Sequence, residues 1–339
     1  MPEYAVLDKD TIKTEIMPYL SIAKRGYTSK FDLIEVVNAI LYKLKSGCQW
    51  RLLPIGHLFS GEGSSWNAVF HHYRKWCKKE EWQKIYSKIL SRDKSNPDLS
   101  ISHIDGSHTP VYRGGEKAEY QGRKKRCTTN ALFISDNQGI PLAMSEPQAG
   151  NHADLYEIDK RIDEIVSQML DADIAVDGLF CDLDAGFDGK ELRSALISHG
   201  IIPNVYTNPR NGEDSKDDWL YDDEMYKERW KIERTNAWMD GFKAVLNRFD
   251  TTVSSWKGWN FLAFIVIFLK KFTNQISLNN FGYSAINVPV NTAPSGVVAV
   301  IVYSPYRAPV STKYPSSGDR VASMSRSCPC TLTLYSVYV

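Results

Sequence analysis

Between residues 11 and 95 apolar positions recur every three to four residues, the spacing of one helix face. In "FDLIEVVNAILYKLKSG" the set Phe31, Ile34, Val37, Ile40, Leu41 and Leu44 lines such a face, and Gly47 marks its end. The stretch "SSWNAVFHHYRKWCKKEEWQKIYSKIL" starts from a serine cap and carries Trp66, Phe70, Tyr73, Trp76 and Trp82. Several short helices with a basic face, joined by turns, have the outline of a helix-turn-helix DNA-binding module and equally that of a plain helical bundle with solvated lysines. "SRDKSNPDLS" (91–100) has the composition of a linker.

Beyond it the period shortens to that of strands. "LSISHID" (99–105) alternates into an aspartate, and "TTNALFIS" and "PLAMSEP" flank the turn "DNQG" as a hairpin. An acidic helix (153–170), the apolar run "DIAVDGLFCDLDAG", a helix closing on Gly200, and the strand "IIPNVYTN" follow. The order β, β-turn-β, α, β, α, β, α is an α/β arrangement with a mixed sheet. "PRNGEDSKDD" (209–218) reads as a polar loop and 221–272 as helical again. The longest apolar run, "FLAFIVIFL" (261–269), has nine residues where a bilayer needs about 20, so it predicts a core helix and no membrane partner.

This divides the chain into a helical domain (1–95), an α/β domain (99–275) and a tail (276–339). The tail holds five charged side chains, Arg307, Lys313, Asp319, Arg320 and Arg326, and is dominated by Ser, Val, Pro and Tyr. Its composition fits a β-rich appendage and a disordered, frameshifted or read-through extension alike.

Composition changes this picture little: 43% hydrophobic residues mark a core-forming protein, and the net charge is +1. The charge is uneven, however. Residues 1–95 hold 16 Lys/Arg against 10 Asp/Glu, which points weakly to a polyanion. The six cysteines, Cys48, Cys77, Cys127, Cys181, Cys328 and Cys330, include no C-x-x-C pair and no zinc-finger spacing, so they read as reduced cytosolic thiols. No secretory signal pattern opens the chain.

Three carboxylates are candidates for chemistry. Asp105 ends its predicted strand ahead of Gly106, and Asp184 ends the next apolar strand ahead of a turn; strand ends of this kind tend to bind ligands. Asp182 and Asp177 compete with Asp184 for the second position. Glu233 lies in "MYKERWKIERTNAWMDGFK", where Tyr226, Arg229 and Glu233 are spaced by three and four and so share a helix face. Hard oxygen ligands of this kind suit Mg²⁺ or Mn²⁺. Two such ions about 3.5–4 Å apart can activate a water or 3′-hydroxyl on one side of a phosphate and stabilise the leaving oxygen on the other. Arg229 would then supply a cation to the phosphate, and Tyr226 a hydroxyl or a stacking surface. The bland alternative is an ion-pair face worth about 0.3–0.5 kcal/mol.

With these residues in view the chain resembles a bacterial insertion-sequence transposase of the DDE class. "NAILYKLKSGCQWRLLP" with "SSWNAVFHHYRKW" is similar to that family's N-terminal helical domain, and "HIDGSHTPVYRGG" through "DNQGIPLAM" to its first-aspartate segment. "DLDAGFDGKEL" is similar to the D-x-G-Y-D segment, which selects Asp184 over Asp182. "YKERWKIERTNAWMDGFK" is similar to the Y-x2-R-x3-E-x6-K helix. Together these pieces cover about residues 15–272. The lysine expected seven residues after Glu233 is Asp240, and Lys243 is the nearest substitute. Asp184 and Glu233 are 49 residues apart, which leaves no room for a large insertion domain.

The resemblance implies a ribonuclease H-like catalytic domain behind a small helix-turn-helix-like one. It implies Asp105, Asp184 and Glu233 as catalytic metal ligands for two Mg²⁺ (or Mn²⁺) ions, and strand cleavage and transfer at the terminal inverted repeats of the element. The partners implied are double-stranded DNA, as element ends and target, and a homodimer or higher assembly on it, in the bacterial cytoplasm at the nucleoid. Tyr226, Arg229 and Lys243 would face DNA. So would the basic run Arg123, Lys124, Lys125 and Arg126, whose other reading is a solvated turn. His103 and His108 flank Asp105 in supporting or structural positions, and His71 and His72 read as structural. Two alternatives share these residues: a metal-dependent nuclease without strand transfer, and a non-catalytic DNA-binding remnant.

Overall fold

The computed structural model describes residues 5–21, 31–61, 65–208, 220–280, 285–287, 297–304 and 331–338. The polar loop expected at 209–218, Cys328, Cys330 and most of the low-charge tail lie outside the described residues. The chain divides into two compact units, Met1–Phe268 and Leu269–Val339.

Three helices lead the first unit. In α1 (Leu33–Ser46) the Asp32 carboxylate accepts from the Ile34 amide at 2.9 Å, which starts the helix, and Gly47 ends it at φ +68°, a conformation glycine adopts without penalty. A Cβ on Gly47 would also lie 2.7 Å from the Lys243 Cβ, so this glycine lets a distant segment approach. Val36, Val37, Ile40, Leu41 and Leu44 are fully buried. The serine cap is Ser65, whose hydroxyl accepts from Ala68 at the start of α2 (Trp66–Lys78). Lys79 and Glu80 then break the run, Glu80 at φ +55°, before α3 (Glu81–Arg92).

The sheet follows. Strands β1 (Ser102–Pro110), β2 (Glu119–Gln121), β3 (Arg126–Ser135), β4 (Pro141–Met144) and β5 (Gln148–Ala149) lead through α4 (Ile158–Asp171) to β6 (Phe180–Leu183). From there α5 (Lys190–Ser198) leads to β7 (Ile202–Val205). The order is β2-β3-β1-β6-β7, with β4 and β5 also on β3. The β1–β3 and β3–β4 pairs are antiparallel, whereas β1–β6 and β6–β7 are parallel. A hairpin therefore feeds two crossovers, each carried by a helix, and this is the mixed sheet of a ribonuclease H-like fold. Ile162, Ile165, Val166 and Met169 of α4 and Leu192 and Leu196 of α5 bury the faces that cover it.

One predicted boundary is corrected. Asp105 does not end its strand: β1 runs on to Pro110 because β3 pairs with it antiparallel as far as Thr128. What ends near Asp105 is the parallel pairing with β6, whose last partners are Ile104 and Leu183.

The region 221–272 is not one helical stretch. A helical turn at Asp223–Tyr226, a 3₁₀ turn at Lys227–Arg229 and α6 (Trp230–Asp240) are followed by the short helix Lys243–Leu246 and an extended piece that bridges Arg248 to Val111. Helix α7 (Val253–Asn280) then supplies the core expected of "FLAFIVIFL": Trp256, Trp259, Leu262, Phe264 and Ile265 are fully buried. Tyr73 of α2 stacks on Trp259 with centroids 4.0 Å apart and donates to the Ser255 carbonyl at 2.5 Å. Tyr86 of α3 donates to the Pro141 carbonyl on β4 and packs its ring 5.5 Å from Phe264. The N-terminal helices and the sheet thus share one core through α7. No helix among the described residues is long and apolar enough to cross a membrane.

In the second unit β8 (Ala285–Asn287), β9 (Val297–Ser304) and β10 (Thr331–Tyr338) form an antiparallel sheet in the order β10-β9-β8.

Candidate active site

Two neighbouring parallel strands set the position of the first two carboxylates. The register pairs His103 with Asp182 and Ile104 with Leu183, so the next step along each strand is Asp105 and Asp184. Adjacent strands lie about 4.8 Å apart, and residues at one register level project from the same face. Asp184 is exposed where β6 stops, and its carboxylate accepts from the Ala185 amide at 2.7 Å, which fixes the turn Ala185–Phe187. Asp105 is half-buried. Its carboxylate accepts from the Gly106 amide at 2.8 Å and from the Asn236 side chain at 3.0 Å.

Burial pushes the Asp105 carboxyl up to about 6, with Glu233 and Asp154 adding to the rise and the bonds from Gly106 and Asn236 working against it. Glu233, exposed in the first turn of α6, is therefore electrostatically close to Asp105. The "DNQG" turn holds that helix in place. Thr235 donates to the Gly139 carbonyl at 2.7 Å, Lys231 to the Asn137 side chain at 2.6 Å and Arg234 to the Gln138 carbonyl at 3.3 Å. Gly139 sits at φ +80°, and a Cβ there would lie 3.1 Å from the Lys231 carbonyl. The hairpin glycine is thus also a helix-docking glycine.

Tyr226 and Arg229 belong to the Asp184 side. The 3₁₀ turn between them and Glu233 tightens the helical path, so the three residues do not lie on one uninterrupted α-helical face. The Arg229 guanidinium lies 5.8 Å from the Tyr226 ring centroid. Burial raises the Tyr226 hydroxyl, Arg229 opposes this and Asp184 adds to it, which brings all three into one neighbourhood.

The basic candidates form a second group. Arg123, Lys124, Lys125 and Arg126 are exposed at the turn between β2 and β3, where Lys125 takes φ +51°. Lys124 donates to the His108 carbonyl at 3.3 Å. Lys243 is exposed, with its amine 3.5 Å from the Asp240 carbonyl. Burial raises the Asp240 carboxyl while Lys243 and Lys124 oppose the rise, so both cations act on this one acid.

The remaining candidates lie apart from these two groups or behind them. Asp182 is fully buried, accepting from Asn204 at 2.8 Å with His103 Nδ1 3.4 Å away. Asp177 is exposed before β6, its carboxylate 2.2 Å from where a Cβ on Gly200 would lie. His108 faces Asp154 at 3.5 Å. His71 is exposed, and burial lowers the His72 imidazole, which packs 5.1 Å from Trp76.

Two residues escaped the sequence reading. Asn236 lies three positions after Glu233, a spacing that could have flagged it. Asp154 carries no such signal. Its carboxylate presses on Gly106, where a Cβ would come within 2.5 Å, and accepts from Asn130 at 2.7 Å. Although burial works the other way, His108 and Asn130 hold its carboxyl below the usual range.

Among the described residues no three His, Cys, Asp or Glu side chains are gathered closely enough to enclose a metal ion. Nor, among the described residues, does any lysine or arginine form an ion pair with Asp105, Asp184 or Glu233. The edge is acidic, with Arg229 in the Tyr226–Asp184 neighbourhood as its nearby cation.

Residues 14–86 match the family described as "Putative transposase of IS4/5 family", and residues 96–269 match the transposase DDE domain. No curated protein matches the chain. Among solved structures, a piggyBac transposase synaptic complex with hairpin DNA is 10% identical, with 80% of this chain and 73% of that one covered and a TM-score of 0.42. A Mos1 transposase paired-end complex with the left transposon end is 11% identical, covering 71% of this chain and 86% of that one, with a TM-score of 0.24. Because the DDE domain match spans half of its length, the chain belongs to the DDE transposase family and is an enzyme of polynucleotidyl transfer.

Proposed function

We propose that this transposase cuts and joins DNA at the terminal inverted repeats of a bacterial insertion sequence, with Asp105, Asp184 and Glu233 as its catalytic carboxylates. The observation that carries this reading is the register of β1 and β6, in which Asp105 and Asp184 follow the last paired residues, Ile104 and Leu183, at one level on adjoining strands, with Asn236 of the helix that bears Glu233 bonded to Asp105.

Asp105, Asp184 and Glu233 offer hard carboxylate oxygens of the kind that Mg²⁺ or Mn²⁺ takes, although among the described residues they are not gathered closely enough to enclose an ion, so binding would have to draw them together. When bound, such ions activate the attacking hydroxyl and neutralise charge on the leaving oxygen. The protein's own groups do the rest. Asn236 and the Gly106 amide orient the two Asp105 oxygens, one each. Arg229 and the Tyr226 hydroxyl, beside Asp184, hold a phosphate oxygen. Lys124, Lys243 and the exposed turn Arg123–Arg126 neutralise phosphates further along the duplex. Two element ends must meet, so a homodimer or larger assembly forms on DNA, at the nucleoid in the cytoplasm.

The test is a cleavage and strand-transfer assay with Mg²⁺ on DNA carrying the element's ends, comparing the full chain with Glu233→Gln. Joined product that disappears in the variant is expected. Cleavage without joining would make the chain a nuclease, and binding without cleavage a remnant, the outcome that Asp240 in place of the family's lysine would favour.

A further inference from the structure

Beyond the carboxylate edge, β1 leads to an exposed aromatic pair. Tyr112 is 57% exposed and Phe249 51% exposed, yet their rings stack with centroids 5.2 Å apart and planes 16° apart. Scattered single apolar side chains on a surface need no explanation. Two large rings held against each other at the surface are a different matter, because the pair is fixed in place while about half of each ring stays in water.

The pair is held by the backbone. Tyr112 donates to the Arg248 carbonyl at 3.0 Å and Arg248 to the Pro110 carbonyl at 2.9 Å. The Arg248 side chain is fully buried, donating to the Asp250 carbonyl at 2.9 Å and to the Thr129 hydroxyl. Gly115, at φ +116°, presses against Thr251, where a Cβ would fall 2.2 Å from the carbonyl oxygen, and Glu116 donates its amide to that oxygen at 2.9 Å. The loop after β1 is thus zipped to the segment before α7, and the two rings are set by it.

Two exposed arginines adjoin the pair, one along the chain and one across the backbone pairing. Val111 donates to the Cys127 carbonyl at 2.9 Å, which puts Tyr112 beside Arg126, the last residue of the exposed basic turn, and Arg113 is exposed next to it. Of the acids in these segments, Glu116 accepts from the Val253 amide and Asp250, next to Phe249, from the Trp259 indole, while Glu119 is exposed on β2. Exposed rings among cations match the two halves of a nucleotide: a base to stack on and a phosphate to neutralise. Tyr112 lies seven residues beyond Asp105 along the chain, two past the end of β1.

We propose that Tyr112 and Phe249 form a stacking platform for an unpaired nucleobase of bound DNA, with Arg113 and Arg126 holding the adjoining phosphates. The proposal rests on the reading of the chain as a DNA-acting transposase, but it requires neither cleavage nor a metal. It is tested by fluorescence anisotropy of the full chain, without divalent ions, on a blunt duplex and on the same duplex with a single-stranded overhang.

The wild-type protein is expected to prefer the overhang. Tyr112→Ser/Phe249→Ser should lose about 5- to 100-fold in affinity for the overhang and stay within about twofold on the blunt duplex. Tyr112→Phe/Phe249→Tyr, which keeps both rings, should behave as wild type. Equal binding of the two DNAs by wild type, or equal losses on both in the serine variant, would overturn the platform while leaving the transposase reading intact. Failure of wild type to bind either DNA would sink both. A dimer in sedimentation velocity that the serine variant dissolves would assign the rings to a second copy of the chain instead.

Discussion

The layer around α7 and the edge that carries Asp105 hold buried charge in opposite ways. Beneath α7, burial raises the Asp250 carboxyl as it does that of Asp105, but here a cation opposes the rise: Lys43, whose amine lies 5.0 and 5.4 Å from the Trp50 and Trp259 rings and donates to the Cys48 carbonyl, together with the Trp259 indole, which donates to Asp250 at 2.9 Å. Every charge there has an opposite charge or a polar partner in the fold. At the edge, Asp105 is half-buried facing other carboxylates, with amide donors but no cation. A carboxylate half-buried among other acids, with no cation paired to it, carries a cost in stability, and such a place is where the proposed reading puts the ligand.

The sharpest break of this comparison is a pair of substitutions of opposite sign. Trp259→Ala removes a fully buried ring that joins α2 to α7 and strips Asp250 of its donor; it should destabilise by about 3–5 kcal/mol in urea unfolding. Asp105→Asn should stabilise. The carboxyl at about 6 in the fold stands above its ordinary 3.8, so ionisation favours the unfolded chain at every pH above about 6, and the penalty fades as pH falls toward 4. The asparagine variant should gain about 3 kcal/mol at pH 8 and almost nothing near pH 4. A loss at pH 8 would mean that the edge is as well compensated as the core.

A smaller effect refines the role of Asn236. Its bond favours the ionised Asp105, so Asn236→Ala should move the acid limb of the cleavage profile to higher pH and cost about tenfold in rate at pH 7. A lower rate with an unmoved limb would reduce Asn236 to packing. The smallest effect concerns Asp240. Placing a lysine there releases Lys124 and Lys243 and adds a third cation, so Asp240→Lys should tighten DNA binding and steepen its salt dependence by about one to three in log–log slope. An unchanged slope would place these residues off the DNA.

The elements that build the core were legible because local rules suffice for them. Asp32 and Gly47 bound α1, the "DNQG" turn closes its hairpin, and "FLAFIVIFL" is the buried helix its composition implies. The proposed catalytic trio was read through resemblance, and Asp184 was separated from Asp182 only on that ground. In the fold Asp182 is buried between His103 and Asn204, two residues short of the exposed Asp184. What local patterns did not reveal depends on distant partners. The length of β1 is set by β3, the interrupted helical path at Lys227–Arg229 breaks a face that spacing alone made continuous, and Asp154 reaches Gly106 from a loop 48 residues away. Arg248 is unreadable from its neighbours, since its burial depends on Thr129 and Pro110.

The account turns on the acidic edge being a cation site, and the most direct measurement is Mn²⁺ binding by the full chain, followed by paramagnetic resonance, for wild type, Asp105→Asn, Asp184→Asn and Glu233→Gln. Binding by wild type that each substitution weakens or abolishes is the predicted result. Mn²⁺ binding that survives all three substitutions, or that wild type never shows, would contradict it.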